Sequence, residues 1–560
     1  MPCVGAFLRC LICKSPTRKH LPSHRTTMSN VESEETILPF DEVAMLPQPG
    51  DTAAAAKRLI PKGSRVSLPS GDGTAASAAA AAASSSSTGR FVTLSAPCLE
   101  GHRFAIKSAE DGEGLLSWGL PFGHAVGRVK PGDVLINAKA ADALRGRLSG
   151  PHGEEGQAIR TLLDVQPVNF VDLDVTPDSP FILEERGFTV VGTNAAADDG
   201  EDPATFLGYR RSNGRGVGTR NHVAVVALTA SASPTILPLR TRWSRYENKG
   251  EGGEEGSNNN FDGVRIVAHT EGESASVQHN APLIHRCLAG FLRHPNIGAA
   301  IIVSTGRERH ITRDTLMEFI RARNEEAEAK GRPPVYPDEC LREPHVQFVQ
   351  VSGGGVGDTL RKLDDAVEAA VEHATNGVAR EPCPLSEICI ALQCGGSDSF
   401  SGLCGNPLSG EVAARLISKH GGRAILAESP ELVGAEPYIL SKVASEHTAR
   451  RFIQTTEAYK EYGARHGLSV AGNPSGGNLY RGLYNIVLKS LGAARKKPPS
   501  IALDLVLEHG EPMRSHGDEP KYAFMDSPGN DLESIAGQVA SGCNIIIFIT
   551  GNGSMTNFRE

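Results

Sequence analysis

The chain has 560 residues, 39% hydrophobic and 22% charged, with a formal charge of -8 and a pI near 6.2. That length calls for at least two folded units, and no apolar run approaches the roughly 20 residues that span a bilayer. The acidic balance offers no basic face for a phosphate backbone, so nucleic acid and membrane are both excluded as expected partners.

Eleven cysteines are spread thinly, which fits reduced thiols and a cytoplasmic setting better than a secreted disulfide framework. Cys10 and Cys13 form a CxxC-like pair, but no second pair follows at zinc-site spacing. Residues 1–31 carry Arg9, Lys14, Arg18, Lys19 and Arg25 with no acidic residue. Two readings stay open there: a mitochondrial presequence, or an untranslated leader ahead of Met28. From residue 50 to 89 the chain runs through AAAAKR and a long Ala/Ser stretch, so 1–89 is expected to be a disordered leader and low-complexity segment.

Order is expected from Phe91. Short apolar stretches separated by Gly, Pro and Asp turns predict a small β-rich domain over 90–150. Residues 151–204 read as a linker. From 205 to 560, apolar runs of strand length alternate with helical periodicity, which predicts an α/β catalytic region with a mainly parallel sheet. The strand candidates are 222–230, 264–270, 299–305, 346–352, 387–394, 423–429, 501–507 and 544–550, with a helix over 358–376. The polar stretch Arg245–Asn260 reads as a surface insertion.

The segment LQCGGSDSFSGLCGNP at 392–407 leaves an apolar strand, turns through Gly395 and Gly396, and enters a helix after Asn406. Ligands bind at that carboxyl edge in open α/β sheets, and the helix start favours anions. Cys394, Ser397, Asp398, Ser401 and Asn406 therefore point to a binding loop, while the plainer alternative has Ser397 and Asp398 as helix caps. The next strand ends at Glu428, a carboxylate placed for proton transfer or metal binding. Glu431 and Glu436 are read instead as first-turn residues that offset a helix dipole. Weaker turn segments supply Asn473, Asn478 and Asp526.

In this order, GYRRSNGRGVGTRN at 208–221, HPN at 294–296, LQCGGSDSFSG, ESPELVGAE, NPSGGN, KSLGA at 489–493, FMDSPG and FITGNGS at 548–554 resemble the altronate/galactarate dehydratase family. Upstream, EGHRFAIKSAEDGEGLLSWGLPFGHA at 100–125 resembles the SAF domain of these enzymes, and His102 matches a histidine of its signature. The resemblance implies metal-assisted dehydration of an altronate- or galactarate-type sugar acid to a 2-keto-3-deoxy acid. It makes Asp398, Glu428 and Ser397 the catalytic candidates. Cys394, Gly395, Gly396, Ser401, Asn406, Asn473, Asn478, Lys489 and Asp526 become substrate-binding candidates. Glu428, Asp398 and His102 become candidate ligands for iron(II), manganese or magnesium. The expected partner is a small-molecule sugar acid, with a homodimer left open.

Several positions depart from the family pattern. Ser231, Glu273 and Arg307 stand where cysteines are usual, Gly476 where a proline is, Leu488 where a glutamate is and Asn552 where an arginine is. The family also continues beyond the point matching Glu560, so its closing strand is expected to be absent. These departures keep an alternative in play, a catalytically inactive paralogue that binds a sugar acid or a partner.

Overall fold

The computed structural model describes residues 37–69, 90–148, 153–194, 204–212, 214–246, 260–272, 280–351, 355–513 and 521–556. The leader, the Ala/Ser run over 70–89, most of the 245–260 insertion and Glu273 lie outside the described residues.

The tetra-alanine that reads as low complexity is a strand. Ala53–Ala56 (β1) is wholly buried and pairs antiparallel with Arg103–Ala105 (β2), Ala54 opposite Phe104. Side chains this short let neighbouring backbone come close, and Phe104 and Phe122 fill the space that alanines leave. Asp51 fixes the entry to β1: its carboxylate accepts from the NH groups of Gln48, Trp118 and Gly119 at 3.0, 2.8 and 2.7 Å. Folded structure therefore begins well before Phe91, and the described part of 50–89 is not disordered. The composition misleads because burial depends on what a strand packs against, which a window of sequence does not contain.

Gly114–Ser117 (β3), Leu120–Ala125 (β4) and Phe170–Asp172 (β5) form an antiparallel meander. Helices Ala138–Arg147 (α1) and Glu154–Val165 (α2) pack beside it through Leu144, Ile159 and Leu162. The expected linker thus supplies α2 and β5. Beyond it the backbone docks on the catalytic region: Thr189 NH donates to Leu440 O, and Asn194 Nδ2 donates to Asp504. Residues 38–560 form one compact unit, and one apolar cluster running from Phe40 to Phe524 joins the β-rich part to the catalytic region, so the expected separation at 151–204 is not seen.

The α/β expectation is met by two parallel sheets. In the first, His222–Ala227 (β6), Gly263–Val267 (β7), Ile297–Ser304 (β8) and Val346–Gln350 (β9) are ordered β7-β6-β8-β9. Helices Ala281–Arg293 (α3), Arg313–Ala329 (α4) and Gly355–Thr375 (α5) cover it. The second sheet has Cys389–Cys394 (β10), Arg423–Leu426 (β11), Leu505–Leu507 (β12), Tyr522–Met525 (β13) and Ile545–Ile549 (β14), ordered β12-β13-β11-β10-β14. All eight strand candidates carry a strand, and the proposed helix is α5. Among the described residues of these two sheets, β13 was missed, because a four-residue apolar run gives little periodicity, and so was a separate antiparallel sheet of Thr205–Arg210, Val217–Gly218 and Glu381–Pro384.

Two family motifs join the sheets rather than line a site. His294 Nε2 contacts Cys543 O at 2.9 Å, Asn296 Oδ1 accepts from Thr219 NH at 2.8 Å, and Thr219 Oγ1 donates to Asn544 O at 2.8 Å. Among the described residues, no helix is long and apolar enough to cross a membrane.

Replacing Ala54 with Asp places a carboxylate at a fully buried position facing Phe104. The expected cost is about 3 kcal/mol or more. An unchanged thermal transition would show that the segment is peripheral to the fold.

Candidate functional site

The carboxyl edge of the second sheet collects the chemistry-bearing side chains. Cys394 ends β10 and Glu428 follows β11, two adjacent parallel strands, so a shared register sets them side by side. The Cys394 NH donates to Glu428 Oε2 at 3.2 Å. Glu428 takes φ +74°, in the left-handed region that costs a non-glycine residue of order 1 kcal/mol or more. That strained turn is held by Ser527, whose Oγ accepts from Glu428 NH at 2.9 Å and whose carbonyl accepts from Ser429 NH at 3.0 Å.

The third member is Lys496, just past the helix Ile486–Ala494 (α8). Its Nζ donates to Glu428 Oε2 at 2.9 Å and to Cys394 Sγ at 3.2 Å. Lysine and glutamate side chains are 0% and 1% exposed. Burial pushes the Glu428 carboxyl up against the pull of Lys496. Burial would by itself lower Lys496, but Cys394 and Glu428 outweigh it and hold the ammonium charged. Burial, reinforced by Glu428, raises the Cys394 thiol to about 11, so it is protonated at neutral pH. Ser397 Oγ reaches the same sulfur at 3.8 Å.

Lys496 reaches this edge because helices approach closely. A Cβ on Gly402 would meet Gly492 Cα at 3.0 Å, and one on Gly410 would meet Arg495 O at 2.6 Å, so only glycine lets α8 lie against Asn406–His420 (α6) and the turn before it. From the β-rich unit, Arg103 Nη1 donates to Ser399 Oγ at 3.3 Å and Ser399 Oγ donates to Gly101 O at 2.6 Å. Both contacts support the loop after Cys394.

Other expected site residues divide by what their polar atoms already hold. Asp398 Oδ1 accepts from Ser401 NH at 2.8 Å and Ser401 Oγ from Asp398 NH at 2.9 Å, so this pair caps a helical turn, as the plainer alternative has it. Gly395 and Gly396 lie beneath the loop after β14, where a Cβ on Gly396 would meet Asn552 Oδ1 at 1.9 Å. Asn406 Nδ2 donates to Gly492 O and Asn478 Nδ2 to Ser397 O, both as scaffold. Asp526 accepts from Ser429 Oγ at the same edge. Lys489 and Asn473 meet at Glu431.

The candidate metal set does not come together. His102 Nε2 faces Tyr480 O at 2.9 Å, burial lowers its pKa to about 4, and its ring packs on Tyr484. Asp398 Oδ1 accepts within its cap and Glu428 Oε2 accepts from Lys496. Among the described residues, no group of three or more His, Cys, Asp or Glu side chains could hold one ion. A cavity of about 770 Å³ opens elsewhere, lined by Arg286, Tyr336, Arg451 and Glu508, and includes none of these side chains. Sequence reasoning missed Lys496. The only signal was its place in ARKKPP, just after KSLGA, and nothing local distinguishes it from Lys497.

The two lysines have opposite fates. Lys497 is fully buried, its Nζ has no hydrogen-bond partner, and burial lowers its pKa to about 7. A lysine whose folded pKa lies below its unfolded value near 10.4 binds fewer protons when folded, so stability rises with pH between about 7 and 10.4. Denaturant titrations of wild type and Lys497→Met are expected to differ in slope across that window, the variant being flatter. Parallel curves would place Lys497 in contact with solvent or with an acid.

Residues 208–375 match the family described as D-galactarate dehydratase/Altronate hydrolase, second domain, and residues 385–560 match D-galactarate/Altronate dehydratase, C-terminal. The chain is similar to the altronate dehydratase of Bacillus subtilis, 28% identical over 458 residues, covering 81% of this chain and 76% of that protein. It is similar to the altronate dehydratase of Escherichia coli, 27% identical over 472 residues, covering 83% and 78%. It is also similar to the (2R)-sulfolactate sulfo-lyase subunit beta of Chromohalobacter salexigens, 30% identical over 355 residues, covering 63% and 78%. With these matches spanning both parallel sheets and the edge that carries Cys394, Glu428 and Lys496, the chain belongs to the D-galactarate/altronate dehydratase family.

Proposed function

We propose that this chain is a hydro-lyase that removes water from a sugar acid of the altronate or galactarate type, giving a 2-keto-3-deoxy acid. The observation that carries this reading is the buried Lys496–Glu428–Cys394 cluster at the carboxyl edge of a parallel sheet, with Glu428 in a strained backbone conformation. The sugar-acid dehydratase relatives support the reaction class.

The chemistry accounts for the residue types. A proton next to a carboxylate is weakly acidic, so its removal needs a base and a positive charge for the enediolate that forms. Glu428, made more basic by burial, takes the C2 proton. Lys496, held as an ammonium, stabilises the enediolate. The C3–O bond then breaks, the departing hydroxide takes a proton from the neutral Cys394 thiol, and the resulting enol tautomerises to the 2-keto acid. No step is assigned to a metal, because His102, Asp398 and Glu428 do not come together in one group among the described residues.

The full chain is to be incubated with altronate, galactarate and related acids, with ferrous, manganous or magnesium ion added in turn, and 2-keto-3-deoxy acid measured. Product is expected from at least one acid. Glu428→Gln is expected to lower kcat by about 10²–10⁴-fold; because it also leaves Lys496 buried without its counter-charge and so lowers stability, kcat is compared below the onset of the variant's thermal unfolding. Binding of sugar acids without product, by wild-type protein shown to be folded, would favour the inactive paralogue. Activity that requires one ion would overturn the assignment of these steps without a metal.

A further inference from the structure

A second lysine–glutamate pair lies beside the first. Lys489 and Lys496 are seven residues apart, two helical turns along α8 and the turn after it, and so fall on the same side. Glu428 and Glu431 are the two ends of one tight turn, with Glu431 NH donating to Glu428 O at 2.9 Å. The result is two adjoining ion pairs, Lys496 with Glu428 at 2.9 Å and Lys489 with Glu431 at 2.8 Å. The first holds a thiol. The second holds an amide: Asn473 Nδ2 donates to Glu431 Oε1 at 3.1 Å, and Asn473 Oδ1 accepts from Lys489 Nζ at 3.0 Å.

Both donors that reach Glu431 in this triangle go to the same oxygen, Oε1. Glu431 Oε2 is buried and has no hydrogen-bond partner, although the side chain is only 7% exposed. An ionised carboxylate has acceptor sites on both oxygens, and a buried acceptor without a donor destabilises the fold. Such an acceptor calls for a donor that the protein's own side chains do not supply.

The donor's chemistry follows from the surroundings. A substrate carboxylate would be repelled by Glu431, and an ammonium would be opposed by Lys489. A neutral hydroxyl meets neither objection, and a sugar acid carries several along its chain. We infer that Lys489, Glu431 and Asn473 form the subsite for the polyhydroxylated part of the substrate, with Glu431 Oε2 accepting from one of its hydroxyls, while the acid end lies toward Lys496. This rests on the dehydratase reading above.

Glu431→Gln tests it with little change of shape, because the Gln oxygen can keep the Lys489 and Asn473 contacts while its NH2 turns the free acceptor into a donor. In the full chain, KM for a six-carbon aldonate or aldarate is expected to rise about 10–100-fold. KM for a 2,3-dihydroxy acid without distal hydroxyls is expected to change less than about 3-fold. Equal effects on both acids, or none, would overturn the subsite while leaving the dehydratase reading standing. Should the variant not fold, wild-type protein is titrated with sugar acids each lacking one hydroxyl. One of these is expected to bind at least about 10-fold more weakly, and uniform affinities would overturn the inference. Wild-type protein that neither binds nor converts any polyhydroxy acid would overturn both proposals together.

Discussion

Neither Lys496 nor Glu428 can be buried alone. An isolated charge in that interior costs several kcal/mol, and leaving one partner of a buried pair uncompensated costs about 3–5 kcal/mol. Their contact therefore dictates where other elements go. β10 and β11 must be neighbours in register to bring Cys394 NH to Glu428. α8 must end against α6 for Lys496 to arrive, and Glu428 must adopt a left-handed backbone to turn its carboxylate inward.

That requirement explains the glycines of the family motifs better than conformational freedom does. Gly402, Gly410 and Gly492 sit where a Cβ would push α6 and α8 apart, and Gly551 sits where one would meet Asp398 Oδ1 at 2.0 Å. Small residues here set distance rather than flexibility. The β-rich unit adds support from below, through Arg103 on Ser399 and through Asn485, which caps α8 and donates to Phe122 O and Asp172. The β-rich unit is thus part of the framework holding α8 and the Cys394 loop.

Two ion pairs with different third members give the site an asymmetry that suits an elimination. The pair with a thiol has a base, a charge and a proton source within contact. The pair with an amide is held in a closed triangle and leaves one oxygen free. Proton transfer and recognition of hydroxyls ask for different surroundings, and in the proposed reading one turn, Glu428 to Glu431, would serve both.

Much of this was legible in the sequence wherever the signal is local and periodic. Alternating apolar runs and helical periodicity marked the strands and α5, strand ends and turns marked Cys394 and Glu428 at one sheet edge, and the family resemblance marked Lys489 and Asn473 as substrate-binding candidates. What the tertiary structure alone decided is which charges are paired and which alanines are buried. Lys496 and Lys497 are indistinguishable in ARKKPP, yet one joins Glu428 and the other has no polar partner. Ala53–Ala56 looks like a linker until Phe104 is opposite it. Asp398 reads from sequence as a site residue or a cap, and the fold gives its Oδ1 to the Ser401 NH. In each case the deciding term is desolvation, and a side chain's contact with water is set by residues tens to hundreds of positions away, which no local pattern encodes.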